Sequence, residues 1–492
     1  MTERKRWRSL ALALALVGAG GWRSPLLASI CPADLPQAIE TILQQQSISR
    51  RARWGIQVSP ITGGEPLYTR DAQQFFIPAS NIKLLTTAAA LTELGPDYQI
   101  RTSVYQLPSA AGETVLRVVG RGDPTFTAES LQNLAQQIYN QGVRRIDRLE
   151  VDDSYFTGDP INPNWEWEDL QAGYGAPVSS LMLDGNAIAL QLTPQSSGQP
   201  LHVAFNNPVD AGNWQIINLS RTLPAGSNEE EFTQVQQDGQ RRVLRIEGQL
   251  QAGSEAVEEA IATPDPNGRF LRHFQSALRA VGITVERGTT PNTATFPPLP
   301  SSASEIAFTL SPPLSYLITQ ANTESENLYA ETLLRQIGVR HTLSQPSTLV
   351  AGLEGVEAIL APLGVDPDSI DQTDGSGLAR RNLATPEAFV QTLQAMHRGP
   401  AAQMYQNSLS VAGVSGTLQN RFQGTPVEGH LWGKTGAISG IAALSGYLEP
   451  DHHPPLAFSI LVNHFDQPVR TIRPTIDQIV VLLADLSSCS SN

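Results

Sequence analysis

The sequence predicts a mixed α/β protein of the α+β kind, in which one main domain is interrupted by two inserted, strand-rich domains. Three observations carry this. At 492 residues the chain exceeds what a single hydrophobic core usually serves, so two or three domains are expected. Between about Tyr98 and Ser304 the texture changes to short strands, whereas helical patterns dominate on either side. Strand patterns then return near the C-terminus, ahead of a last helix.

Taken in order, residues 33–48 read as a helix, and 54–58 and 67–69 as strands of a hairpin around the turn Thr62-Gly63-Gly64. Pro78 suits the first turn of a helix in which Leu84, Ala88 and Leu91 repeat at helical spacing, and Gly95-Pro96 ends it. The insert carries helical patterns at 129–140 and 268–281. Its middle, 187–262, is rich in alternating segments such as Val243 to Ile246 and reads as a domain of its own, inside a second domain made of 98–186 and 263–304. The Pro/Ser stretch 297–304 reads as the linker back to a main domain of 32–97 and 305–492. There, helices are predicted at 313–318, 326–337, 353–363 and 475–486, and strands at 430–434, 442–447 and 457–462.

Composition narrows the function. Hydrophobic residues make up 40% and charged residues 16% of the chain, as in a globular protein. A formal charge of -14 with no basic stripe argues against nucleic-acid binding. The N-terminus reads Arg4, Lys5, Arg6 and Arg8, then an apolar run from Leu10 to Val17 and small residues from Gly18 to Gly21, the pattern of a secretory signal over about residues 1–30. Export to the periplasm or cell envelope is therefore expected, with the protein either soluble once the signal is cleaved or held by an uncleaved signal anchor. The two cysteines, Cys31 and Cys489, lie one near each end of the mature chain and read either as a disulfide or as two unpaired thiols in terminal tails. Only three lysines occur, Lys5, Lys83 and Lys434, the first inside the signal segment. Every other basic side chain of the Lys/Arg type is arginine, so the two mature lysines are expected where arginine cannot serve, as for an amine that must lose its proton.

Ser80-Asn81-Ile82-Lys83 places a serine and a lysine three apart at the start of a helix, on one face, with backbone N–H groups aimed at charge developing beside Ser80. Alone, the motif is commonplace on surface helices. Ser325-Glu326-Asn327 opens another helical pattern, and alone reads as an N-cap serine with an acidic residue favouring the helix dipole. Lys434-Thr435-Gly436 ends an apolar stretch and alone reads as a strand edge with a solvated lysine. In this order, Ser-x-x-Lys, Ser-x-Asn and Lys-Thr-Gly form the motif set of β-lactamases and penicillin-binding proteins, and both mature lysines belong to it.

At these residues the chain resembles the D-alanyl-D-alanine carboxypeptidase/endopeptidases of the class C low-molecular-mass penicillin-binding proteins. The resemblance includes Gly122-Asp123-Pro124, Tyr174 to Ser179, Asp374-Gly375-Ser376-Gly377-Leu378, Asn382, Thr385-Pro386, Val411 to Gly413, Gly416-Thr417-Leu418 and Ala443 to Tyr447. The long insertion between the first two motifs is similar to that family's two extra domains. Two departures stand out: Glu326 where the family most often has Asp, and Ala437 where many relatives carry a hydroxyl after Lys-Thr-Gly.

The resemblance implies the penicillin-recognising serine transpeptidase/β-lactamase-like fold, an antiparallel sheet covered by helices beside a helical lobe, with Ser80 between them. It implies that Ser80 attacks the carbonyl between two D-alanines of a peptidoglycan stem peptide and forms an acyl-enzyme, and that β-lactams acylate the same serine. Lys83 would be the base, its pKa lowered by burial and by Lys434. Ser325 would relay a proton to the leaving amine, Asn327 would orient Lys83 and the peptide, Lys434 and Thr435 would hold the terminal carboxylate, and Gly436 and Ala437 would also bind substrate. The N–H groups of Ser80 and Ala437 would form the oxyanion hole. The glycine-rich Asp374 loop reads either as a wall of the cleft or as a plain tight turn. Asp184 reads either as an insert residue reaching the cleft to meet a basic stem-peptide side chain, or as a solvated loop aspartate. The first and last helices of such a fold pack side by side, which would bring Cys31 and Cys489 within disulfide reach. No metal or cofactor is implied, and the sequence leaves the oligomeric state unknown. The rival readings are a β-lactamase or esterase on the same motifs, against which the long insert argues, and a catalytically silent wall-binding protein, against which the intact motifs argue.

Overall fold

In the computed structural model the described residues are 30–45, 50–109, 112–212, 214–238, 241–291, 296–341 and 347–489. The export segment read from residues 1–29 lies outside them, as do residues 46–49 at the end of the first helical pattern.

The main domain is built on a six-stranded antiparallel sheet. Its strands are β1 (Arg53–Pro60), β2 (Tyr68–Arg70), β3 (Ser410–Val411), β4 (Leu431–Ile438), β5 (Ile441–Leu448) and β6 (Leu456–Asn463), in the spatial order β3-β4-β5-β6-β1-β2. Every residue of β5 and β6 is buried, because both faces of the sheet are covered, and their near-continuous apolar sequence follows from that. One face packs against α1 (Leu35–Gln45) and the last helix, through Ile39, Leu43, Ile476 and Leu483. The other face packs against a helical lobe centred on α2 (Ile82–Leu94), which is buried on all sides from Ile82 to Leu91. A helix with apolar residues on every face belongs in the interior, and α2, whose buried Lys83, Thr86 and Thr87 are hydrogen-bonded, is enclosed by α3 (Leu314–Thr323), α4 (Asn327–His341), α5 (Thr348–Leu360) and α6 (Pro386–Arg398). The sequence reading has no counterpart of α6, whose start is nonetheless written locally: Thr385 Oγ1 accepts from the Ala388 N–H, and Pro386 fills the first helical position.

The last helix, α7 (Val469–Ala484), begins six residues before the predicted start at 475. Pro474 lies inside the helix, close to its N-terminus, where its missing N–H removes one backbone hydrogen bond. Beyond α7, Ile30 and Leu486 form a parallel bridge, and Cys31 and Cys489 are joined by a disulfide with Cα atoms 5.5 Å apart.

The insert leaves after α2 and returns before α3. Its five-stranded sheet has the order Gly288–Thr289, Arg148–Asp152, Val115–Val119, Arg101–Leu107, Ser304–Leu310, and the helices Ala128–Asn140 and Pro266–Ala280 pack on it through Leu131, Leu134, Phe270 and Phe274. Ser304–Leu310 pairs antiparallel with Arg101–Leu107, so this segment belongs to the insert, and the main domain does not resume at 305 as the sequence reading had it. The Pro/Ser composition of 297–304 suggested the crossing, but the strand that follows closes the insert's own sheet edge. Between Ala187–Thr193 and Val257–Ala262 a three-stranded and a four-stranded sheet face each other across Leu190, Leu192, Leu244 and Ile246.

Candidate active site

Ser80 lies in a single 3-10 turn, Ala79–Asn81, that runs straight into α2. Ala79 holds φ at +48°, a left-handed conformation that costs an L-residue roughly 1–2 kcal/mol. Two glycines make room for that turn. A Cβ at Gly377 would lie 1.9 Å from the Ala79 carbonyl oxygen, and one at Gly436 would lie 2.6 Å from that of Pro78. The Gly377 loop and strand β4 therefore press on the backbone of the serine turn from different sides, and only glycine permits this closeness. Ser325 is also held at positive φ, +66°, between α3 and α4.

The three motifs converge. One turn along α2, Lys83 is fully buried; its Nζ donates to Asn327 Oδ1 at 2.7 Å and to the Ser376 carbonyl at 2.7 Å, and lies 3.1 Å from Ser80 Oγ. Lys434, equally buried, donates to Ser325 Oγ at 2.8 Å and to the Thr435 carbonyl at 3.0 Å. Asn327 also donates from Nδ2 to the Tyr174 carbonyl of the insert at 3.1 Å, which ties the insert to the site. Ser80, Ser325, Thr435, Gly436 and Ala437 line one cavity of about 240 Å³.

Burial brings the Lys83 amine down to about 8, against the pull of Asp374, Glu331 and Glu326, which favour its charged form. The sequence reading assigned part of this lowering to Lys434; for Lys83 desolvation is the operative cause, whereas Lys434 is held well below the usual lysine range first by its burial and then by repulsion from Lys83. A neutral amine has two N–H bonds and one lone pair. Asn327 and Ser376 accept the two N–H bonds, which leaves the lone pair for the Ser80 hydroxyl. Such an arrangement can take a proton from a serine and hold it.

The Ser376 carbonyl is a contact the sequence reading did not foresee, although it singled out the loop. Glu331 Oε1 accepts from the N–H groups of Gly375 and Ser376, both at 2.9 Å. Buried Asp374 accepts from Gly377 N at 2.7 Å, Ala379 N at 2.7 Å, Asn382 Nδ2 at 2.8 Å and Trp165 Nε1 of the insert at 3.0 Å. The loop is thus part of the wall behind Lys83 rather than a free turn. Thr417, quoted in the sequence reading within Gly416-Thr417-Leu418 but given no role there, lines the same cavity, and its Oγ1 accepts from Thr435 Oγ1 at 2.8 Å.

The structure does not bring Asp184 to this cavity. Its exposed carboxylate lies 3.4 Å from Arg269 Nη2 and accepts from the Ala128 N–H at 3.3 Å. Arg269 is eighty-five positions away, and nothing local announces the pair.

Fold and site together define a penicillin-recognising serine peptidase. A sequence model of the D-Ala-D-Ala carboxypeptidase 3 (S13) family matches residues 35–486, and the chain belongs to that family. It is 34% identical to the D-alanyl-D-alanine carboxypeptidase of Actinomadura sp. (strain R39) over 476 residues, 93% of this chain and 86% of that one. It is 28% identical to the penicillin-sensitive carboxypeptidase A of Dictyostelium discoideum over 485 residues, 92% and 91% of the two chains. The crystal structure of penicillin binding protein 4 (dacB) from Haemophilus influenzae shares the fold, with a TM-score of 0.77 at 22% identity over 90% of this chain and 98% of that one. The protein is accordingly a serine-type carboxypeptidase of the penicillin-binding class. Among the described residues, no helix is long and apolar enough to cross a membrane.

Proposed function

We propose that the enzyme works in the cell envelope on peptidoglycan stem peptides ending in D-Ala-D-Ala, through an acyl-enzyme at Ser80. The observation that supports this most directly is the 3.1 Å approach of the buried Lys83 amine to Ser80 Oγ. Neutral Lys83 takes the hydroxyl proton as Oγ attacks the carbonyl carbon of the penultimate D-Ala. The N–H groups of Ser80 and Ala437 stabilise the oxyanion, and Ser325, held by Lys434, relays the proton taken up by Lys83 to the departing amine. Water then hydrolyses the ester. When the departing amine is a free D-Ala the reaction is a carboxypeptidase step; when it belongs to a neighbouring stem peptide, the same chemistry opens a cross-link. A β-lactam presents an amide in the same place and stays on the serine.

The test is labelling with a fluorescent penicillin, read by intact mass. Wild type should gain one penicillin mass and Ser80→Ala none. Undiminished labelling of the variant would remove Ser80 from the mechanism. Incubation with intact sacculi and identification of the released fragments then separates terminal D-Ala removal from cross-link opening.

A further inference from the structure

We infer that Arg473, on the C-terminal helix α7, binds the terminal carboxylate of the substrate together with the hydroxyls of Thr435 and Thr417. This rests on the peptidase reading and names the side chain that anchors the leaving end.

The argument begins with what the Lys-Thr-Gly strand lacks. Ala437 follows that motif and offers no hydroxyl to an anion. Two of the three N–H donors of a Lys434 ammonium are already engaged, by Ser325 Oγ at 2.8 Å and by the Thr435 carbonyl at 3.0 Å, so it offers at most one more to an anion. Yet the substrate has a carboxylate beyond the scissile bond, and the cavity that contains Ser80 must receive it. Two arginines, Arg421 and Arg473, also line that cavity. They are not equivalent. Arg421 is nearly buried and ion-paired with Asp477, so its charge is largely neutralised in place. Arg473 stands one helical turn before Asp477, the position from which it would ordinarily pair with that aspartate. Because Arg421 occupies Asp477, exposed Arg473 makes no ion pair or hydrogen bond among the described residues.

The cavity therefore presents an arginine whose charge is matched by no ion pair among the described residues, together with the hydroxyl pair Thr435 Oγ1 and Thr417 Oγ1 at 2.8 Å. A guanidinium is permanently charged and offers two parallel N–H donors, the geometry that a carboxylate accepts best. Being long and exposed, it can close on the carboxylate after the peptide enters and reopen to release D-alanine. Arg473 thus takes over what a hydroxyl at position 437 would do.

The experiment compares two synthetic peptides ending in D-Ala-D-Ala, one with a free C-terminal carboxylate and one amidated, as substrates of the purified mature enzyme. The readout is the ratio of their kcat/KM values. Arg473→Ala should lower the acid-to-amide ratio at least tenfold, chiefly through a higher KM for the acid, and Arg473→Lys should recover most of it. Because Arg473 is exposed and unpaired, thermal unfolding of both variants should match wild type; Arg421→Ala would be a poorer choice, since it strands Asp477. A drop in the ratio of less than threefold would overturn the assignment. Wild type that cleaves neither peptide would refute the peptidase reading and this inference together, whereas wild-type cleavage with an unaltered ratio in Arg473→Ala refutes the arginine alone.

Discussion

Lys83 is where the chemistry and the structure can be set against each other most sharply. Lys83→Arg keeps a cation at this position, and arginine is what this chain uses almost everywhere else for a Lys/Arg cation. If charge alone mattered, the variant should work. A guanidinium does not release its proton in proteins, so a base at this position is lost. General-base assistance is typically worth about 10² to 10⁴ in rate, or about 3 to 5 kcal/mol of barrier. With the Lys83 amine at about 8, roughly a tenth of wild type carries the neutral form at pH 7. Its acylation rate should therefore rise with pH, close to tenfold per unit at first, and level off above about pH 9. The deficit of the arginine variant should accordingly be about 10 to 10³ at pH 7 and about 10² to 10⁴ on the plateau. Lys83 has no exposed surface, so the larger arginine also strains its surroundings, by about 1–3 kcal/mol for a typical overpacked site. Lys83→Met separates the two effects, because it has nearly the length of lysine, no charge and no base. The assay is the second-order rate of penicillin acylation from pH 6 to 10, with thermal unfolding alongside. An arginine variant acylating within a few-fold of wild type, or a wild-type profile that is flat across this range, would refute the base assignment.

Two further outcomes follow from the packing. Gly377→Ala would place a Cβ 1.9 Å from the Ala79 carbonyl at a residue with φ of +81°, so the serine turn must shift; acylation should fall at least tenfold in a protein that is still folded by circular dichroism, and near wild-type acylation would show that this contact does not position Ser80. Replacing Cys31 and Cys489 by serine opens a loop of 458 residues; the chain-entropy relation gives a loss of up to about 6 kcal/mol, seen as a lower unfolding temperature, while the acylation rate at 25 °C should persist because the bridge lies at the chain ends, apart from the Ser80 cavity. An unfolding temperature within a degree of wild type would show that the bridge does not constrain the unfolded chain.

What the sequence determined by itself was the identity and order of the candidate reacting groups. Ser80, Lys83, Ser325, Asn327, Lys434 and Thr435 are side chains, the motif spacing is local, and the scarcity of lysine singled out both amines. The main elements were legible for a similar reason. The mostly apolar α2 and the near-continuous apolar runs of β5 and β6 write their burial largely into residue type. The tertiary structure decided what depends on backbone atoms and on distant partners. The Ser376 carbonyl that holds Lys83 and the Tyr174 carbonyl that holds Asn327 belong to groups every residue possesses, so no residue type marks them. The pairing of Asp184 with Arg269, the return of Ser304–Leu310 to the insert's sheet, and the competition of Arg421 with Arg473 for Asp477 are settled by which surfaces meet after folding. Local sequence specifies which groups can react, whereas the orientation of a carbonyl or the freedom of a charge is fixed only when segments far apart in the chain are packed together.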